Sequence, residues 1–164
     1  MKIGILTISD KGARGEREDR SGPAIREMME AAGGVIVRAR IVPDEQDEIR
    51  AALIDWSDEG LDLILTTGGT GFSPRDWTPE ATKAVIDRET PGIPEAMRRA
   101  GLDKTPTAML SRAAAGIRKS TLIINLPGSE KAVRESLEAI LPALPHGVEI
   151  LKGSATECAK PGPG

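Results

Sequence analysis

Short apolar runs of strand length recur along this chain, and the stretches between them carry apolar residues at helical spacing. That alternation constrains the fold more than any other feature. Residues 3–8, 35–42, 61–67 and 121–126 read as strands. Ile25, Met28, Met29 and Ala32 make one helical face behind Ser21 as cap and Pro23 in the first turn, with Gly33-Gly34 as the stop. Ile49, Leu53 and Trp56 make a second face after Pro43-Asp44. Thr78-Pro79-Glu80 opens a third helix with Thr78 as its cap, a helix is expected over 130–141, and 144–151 reads as a last helix with strand as the alternative. Residues 10–20 read as loop. Residues 88–111 hold Pro91, Pro94 and Pro106 and are expected to form only short helices. Strands joined through helices pair in parallel by right-handed crossovers and are covered on both faces. The expected fold is α/β, a three-layer α/β/α sandwich with a mostly parallel central sheet. One domain is expected over residues 1–153, followed by a disordered tail over 154–164.

Composition removes several function classes. Among 164 residues the formal net charge is −3, and the aromatic residues are Trp56, Phe72 and Trp77. With no basic footprint and no stacking platform, nucleic acid is not an expected partner. The single cysteine, Cys158, allows no intrachain bridge and suits a reducing cytoplasm. The chain enters an apolar strand at Lys2-Ile3 and has no apolar run near membrane length, so neither a secretory leader nor a membrane span is expected. His146, between Pro145 and Gly147, supports neither a catalytic triad nor a zinc cluster.

In an open α/β sheet, ligands bind beyond the carboxyl ends of the strands. The unusual residues fall there: Ser9-Asp10, Asp44, the segment 68–76, and Pro127-Gly128-Ser129. The turn Gly68-Gly69-Thr70-Gly71 has two readings. Its backbone N–H groups can curl around an anion, or a tight strand-to-loop turn simply needs glycine. It is neither a Walker A loop nor a dinucleotide fingerprint. Asp44 reads equally as an N-cap and as a functional carboxylate. Asp76 is not needed as a cap, because Thr78 fills that position. Together the two aspartates can hold Mg²⁺ through one or two carboxylates plus phosphate oxygens. The stretch from Glu18 to Pro23, like Pro127-Gly128-Ser129, precedes a helix and reads either as an anion site or as an ordinary helix start.

Taken in order, Thr7-Ile8-Ser9-Asp10, Glu18-Asp19-Arg20-Ser21-Gly22-Pro23, Thr66-Thr67-Gly68-Gly69-Thr70-Gly71, Pro74-Arg75-Asp76-Trp77-Thr78-Pro79-Glu80-Ala81 and Asn125-Leu126-Pro127-Gly128-Ser129 resemble the MogA/MoaB family and the G domain of gephyrin. Met109-Leu110-Ser111-Arg112 and Gly116-Ile117-Arg118 match as well, and the resemblance spans roughly residues 2–153. It implies a molybdopterin adenylyltransferase of molybdenum cofactor biosynthesis, a nucleotidyltransferase that uses ATP, molybdopterin and Mg²⁺ and releases pyrophosphate. It implies that Asp44 and Asp76 are the catalytic, metal-holding pair. Gly68, Gly69, Thr70, Gly71, Leu126, Pro127, Gly128 and Ser129 would hold the nucleotide. Ser9, Asp10, Asp19, Arg20, Ser21 and Gly22 would belong to the same cleft, with the pterin and nucleotide contacts left undivided. A phosphate-monoester nucleophile is already ionised near neutral pH, so positioning and charge stabilisation by Mg²⁺, backbone donors and a basic side chain such as Arg75 are the expected means.

The resemblance also implies a homotrimer and hand-over of product to a molybdate-inserting protein. Ile93, Met97, Leu102, Met109 and Leu110, with Ala113-Ala114-Ala115, read either as a subunit interface or as an irregular cap on the domain's own core. The chain departs from plant and animal relatives at Gly101, where they carry serine in the pterin region. Two other readings stand beside adenylyl transfer: a non-catalytic molybdopterin-binding or scaffold trimer, and a same-fold enzyme acting on another nucleotide, as in domains related to CinA.

Overall fold

β1 (Lys2–Ile8) shows how the sheet is built. Ile3 and Ile5 face one core, Leu6 and Ile8 the other, the alternation a strand buried on both faces requires. β3 (Leu63–Thr67) and β6 (Thr121–Leu126) divide in the same way: Leu63, Leu65, Leu122, Ile124 and Leu126 join the first core, Ile64 and Ile123 the second. A Cβ on Gly4 would come 2.7 Å from the Trp56 ring, so glycine in mid-strand makes room for the indole.

The computed structural model describes residues 1–154. With β2 (Val35–Val42), β4 (Arg88–Glu89) and β5 (Ala115–Arg118), the strands form one six-stranded sheet in the order β2-β1-β3-β6-β5-β4. β2, β1, β3 and β6 run parallel, and β5 and β4 add an antiparallel margin. α2 (Ser21–Ala31), α5 (Gly92–Leu102), α6 (Glu130–Ile140) and α7 (Leu144–Leu151) cover the first face. α3 (Gln46–Asp58) and α4 (Thr78–Lys83) cover the second. This is the expected mostly parallel three-layer sandwich. Among the described residues no helix is long and apolar enough to cross a membrane.

Several local expectations are corrected. Part of the expected loop is α1 (Asp10–Ala13), capped by the Ser9 hydroxyl, which accepts the Gly12 N–H at 3.0 Å. Ser21 is the first residue of α2 and not its cap; Asp19 Oδ1 accepts the Gly22 N–H in that role at 2.9 Å. Thr78 likewise lies inside α4, and the cap position of α3 belongs to Glu45, so Asp44 is not a helix cap. α5 runs for 11 residues, longer than its prolines suggested. Pro91 precedes it and Pro94 lies in its first turn, where no intrahelical N–H bond is lost. β3 begins at Leu63 and not at 61. β4 and β5 had no expected counterpart. Apart from Ser154, the expected tail over 154–164 lies outside the described residues, as does Cys158.

Candidate active site

The parallel strands end along one edge, and the segments that follow them line a cleft of about 790 Å³. At the ends of β1 and β2, Asp10 and Asp44 are laced reciprocally. The Asp10 N–H donates to Asp44 Oδ2 at 2.8 Å, and the Asp44 N–H donates to Asp10 Oδ1 at 2.9 Å. Arg75 grips Asp10 with two bonds of 3.0 Å and reaches Glu45 at 2.8 Å. The two carboxylates therefore differ. The Arg75 guanidinium, then the Asp44 N–H, holds Asp10 below the usual carboxylate range. Burial pushes Asp44 up, and the nearby carboxylates of Asp10 and Asp76 add to that. Arg75, expected as a phosphate partner, is committed to Asp10 and Glu45.

The glycine turn satisfies both of its readings. Gly68 and Gly69 have φ of +98° and +68°, the left-handed region. A Cβ on Gly68 would lie 2.3 Å from the Ile8 carbonyl oxygen, and one on Gly69 would lie 2.3 Å from Thr78 Oγ1. The carbonyls around the turn are occupied by hydroxyls. Thr78 Oγ1 donates to Gly68 O at 2.9 Å, Thr67 Oγ1 to Pro127 O at 2.6 Å, and Ser21 Oγ to Gly128 O at 2.7 Å. Among the described residues the N–H groups of Gly69, Gly128 and Ser129 find no acceptor. All three residues line the cleft, so it carries unspent backbone donors suited to an anion.

Asp76 Oδ2 accepts the N–H groups of Gly71 at 3.1 Å and Ser73 at 3.0 Å. Asp44 and Asp76 thus each have one oxygen anchored by backbone and a second, Oδ1, that no donor reaches among the described residues. Two such hard oxygens on one cleft suit Mg²⁺. Among the described residues no three His, Cys, Asp or Glu side chains converge into a closed cage. An ion held by this pair would therefore complete its shell with phosphate and water oxygens.

Of the residues expected from sequence, Ser9, Asp19, Arg20, Ser21, Asp44, Gly68, Gly69, Asp76, Gly128 and Ser129 line the cleft. Asp10 and Arg75 stand behind it as supports. Gly22 is not part of the lining. A Cβ there would fall 2.4 Å from Asp19 Oδ2, so glycine lets Asp19 cap α2 while accepting the Thr7 hydroxyl at 2.8 Å. Leu126 is fully buried in the core and contributes only its carbonyl, which accepts the Gly68 N–H at 3.3 Å.

Thr70, Gly71 and Pro127 face a smaller recess of about 280 Å³, shared with Met97, Arg98 and Ser111. Gly101 belongs to this recess, and its Cβ would lie 2.8 Å from that of Ala108. The glycine thus lets α5 close against the 3-10 turn Pro106–Leu110, where serine would force a shift. Thr7, Gly12, Arg17, Thr67 and Glu130 also line the cleft and were not anticipated. Thr7 and Thr67 sit inside strands, where a buried hydroxyl gives no sequence signal of its own. His146 lines neither space and approaches Glu149 at 4.0 Å.

A family model described as "Probable molybdopterin binding domain" matches residues 4–146. A molybdopterin adenylyltransferase of Helicobacter pylori (strain J99) is 48% identical over 157 residues, covering 94% of this chain and 89% of that protein. A gephyrin of Dictyostelium discoideum is 48% identical over 159 residues, covering 91% of this chain. That gephyrin is much longer, and the chain spans 22% of it. The solved structure of the molybdopterin biosynthesis enzyme MoaB from Thermus thermophilus superposes with a TM-score of 0.89 at 56% identity, covering 93% of this chain and 96% of that one.

Proposed function

The chain belongs to the molybdopterin-binding family matched over residues 4–146, and from that premise we propose that it is a molybdopterin adenylyltransferase of molybdenum cofactor biosynthesis. An oxygen of the terminal phosphate of molybdopterin attacks the α-phosphorus of ATP. A new P–O–P linkage forms, the bond from the α-phosphorus to the bridging oxygen breaks, and pyrophosphate leaves. The nucleophile is ionised at neutral pH, so a cleft without histidine or cysteine is chemically sufficient.

The work of the site is to bring anions together. The unspent N–H groups of Gly69, Gly128 and Ser129 bind phosphate oxygens with donors fixed in advance by the Thr67, Thr78 and Ser21 hydroxyls. Asp44 and Asp76 would hold Mg²⁺, which when bound neutralises phosphate charge and polarises the reacting phosphoryl group. The larger cleft takes ATP. The recess beyond Thr70, Gly71 and Pro127, with its less polar walls and Arg98, takes the pterin. Whole-domain function over residues 1–153, a cytoplasmic setting, a homotrimer and hand-over to a molybdate-inserting protein complete the reading.

The observation that carries it is the pair Asp44 and Asp76, each beside a glycine of the same turn. A Cβ on Gly69 would lie 3.4 Å from Asp44 Oδ1, and one on Gly71 would lie 3.0 Å from Asp76 Oδ2. Incubation with molybdopterin, ATP and Mg²⁺ should yield adenylylated molybdopterin and pyrophosphate by mass detection. Binding of both substrates without that product would leave a binding protein in place of an enzyme.

A further inference from the structure

Arg112 lies between the 3-10 turn Pro106–Leu110 and β5, in no helix or strand, yet its polar atoms converge on the segment from Thr70 to Glu80 that carries Asp76. Its N–H donates to Thr70 O at 2.8 Å. Nε donates to Gly71 O at 2.7 Å, Nη2 donates to Asp76 O at 2.6 Å, and Nη1 pairs with Glu80 Oε1. One planar group thus bridges both ends of the loop from Gly71 to Asp76. That loop has little burial to fix it, since Phe72, Ser73, Pro74 and Arg75 are exposed. The Asp76 carboxylate is bonded to N–H groups of the same loop, so it goes wherever the loop backbone goes.

We propose that Arg112 is a positioning residue for the reaction: by pinning the Gly71 and Asp76 carbonyls it sets where the Asp76 carboxylate stands relative to Asp44. The inference rests on reading Asp76 as a metal ligand. Glu80 aims the guanidinium from its far side, so each of its three nitrogens is bonded to a protein oxygen. Lysine cannot replace it, because a single ammonium cannot donate in two fixed, coplanar directions to carbonyls at opposite ends of a loop. A residue that orients a metal ligand without touching the metal typically changes metal affinity by about 10–100-fold when removed.

The test uses the full chain with Arg112→Lys and Arg112→Ala. Mn²⁺ is titrated calorimetrically in the presence of an ATP analogue carrying a methylene bridge between the α and β phosphorus atoms, and melting is followed in parallel. Both variants should stay folded and lose Mn²⁺ affinity by about 10-fold or more. Their adenylyl transfer should need correspondingly more Mg²⁺ for half-maximal rate, with kcat falling further than KM for ATP rises. Millimolar guanidinium should restore part of the Mn²⁺ affinity of Arg112→Ala. Folded variants that melt lower yet bind Mn²⁺ as the parent does would overturn the inference and leave Arg112 a structural clamp. A parent that binds no Mn²⁺ with the analogue would overturn it as well. A parent that binds Mn²⁺ but transfers no adenylyl group, with binding lost in Arg112→Lys, would uphold the positioning role while refuting the proposed reaction.

Discussion

Asp10 and Asp44 face each other across neighbouring strand ends, but only Asp10 is bonded to a guanidinium, and Arg75 acts on Asp44 only through space and last among its influences. Asp44 carries its charge against burial and against two other carboxylates, so its folded-state pKa is raised. For a raised carboxylate, the associated stability is full below the unfolded pKa and is lost as pH rises through the folded value. At neutral pH the ionised Asp44 therefore weakens the ligand-free fold, as expected of a group kept for binding. Asp44→Asn retains an acceptor for the Asp10 N–H and removes the charge. It should raise the melting temperature of the ligand-free protein at pH 7, with the gain shrinking as pH falls through the carboxylate range. The same variant should lose adenylyl transfer by about a thousandfold, corresponding to about 4 kcal/mol of charge stabilisation. A variant no more stable than the parent at pH 7 would show that the charge is already compensated. Asp76→Ala should abolish turnover and leave a folded chain, because Asp76 is only half-buried, its carboxylate bonds only to its own loop, and its backbone carbonyl keeps the Arg112 bond. Near-normal turnover by folded Asp76→Ala would remove it from the mechanism.

The elements that carry the site were largely legible, because strand ends bearing glycine, hydroxyl and carboxylate residues are unusual and an open parallel sheet gathers them on one edge. What those residues do there was less legible. Ser21, Thr78 and Asp44 each fit a local capping rule, which looks only three or four residues ahead. The folded chain uses them across larger separations, with Ser21 reaching a carbonyl 107 residues away and Asp44 accepting from a backbone N–H 34 residues away. β4 and β5 left no periodic signal because they are two and four residues long and β5 opens on small residues. The glycine turn binds the two lessons together, since its backbone geometry is required by the fold and its N–H groups by the proposed chemistry. Gly69→Val places a β-branched residue at φ +68° with its Cβ on Thr78 Oγ1. It should cost about 1–3 kcal/mol in a urea melt and abolish ATP binding by calorimetry. Loss of stability with ATP affinity intact would reduce the turn to a structural feature.

At the scale of the whole molecule, the stretch read either as a subunit interface or as a cap on the domain's own core divides in two. Met97 and Ala113-Ala114-Ala115 are buried in the chain's own core, and Ile93 packs against it. Leu102, Met109 and Leu110 remain on the surface, with Met109 61% exposed. Three neighbouring apolar side chains, each about half exposed, are worth roughly 1 kcal/mol each if an interface covers what is left in water, a gain that closed symmetry repeats around a ring. Leu110 also lines the smaller recess, so an interface built here would close over the proposed pterin side and involve no residue lining the larger cleft proposed for ATP. Light scattering at micromolar concentration should give three times the chain mass. Met109→Glu, a residue in neither cavity lining, should shift that mass toward one chain and weaken molybdopterin binding more than ATP binding. A parent protein that is a monomer with full activity would refute the trimer and place every group needed for catalysis within a single chain.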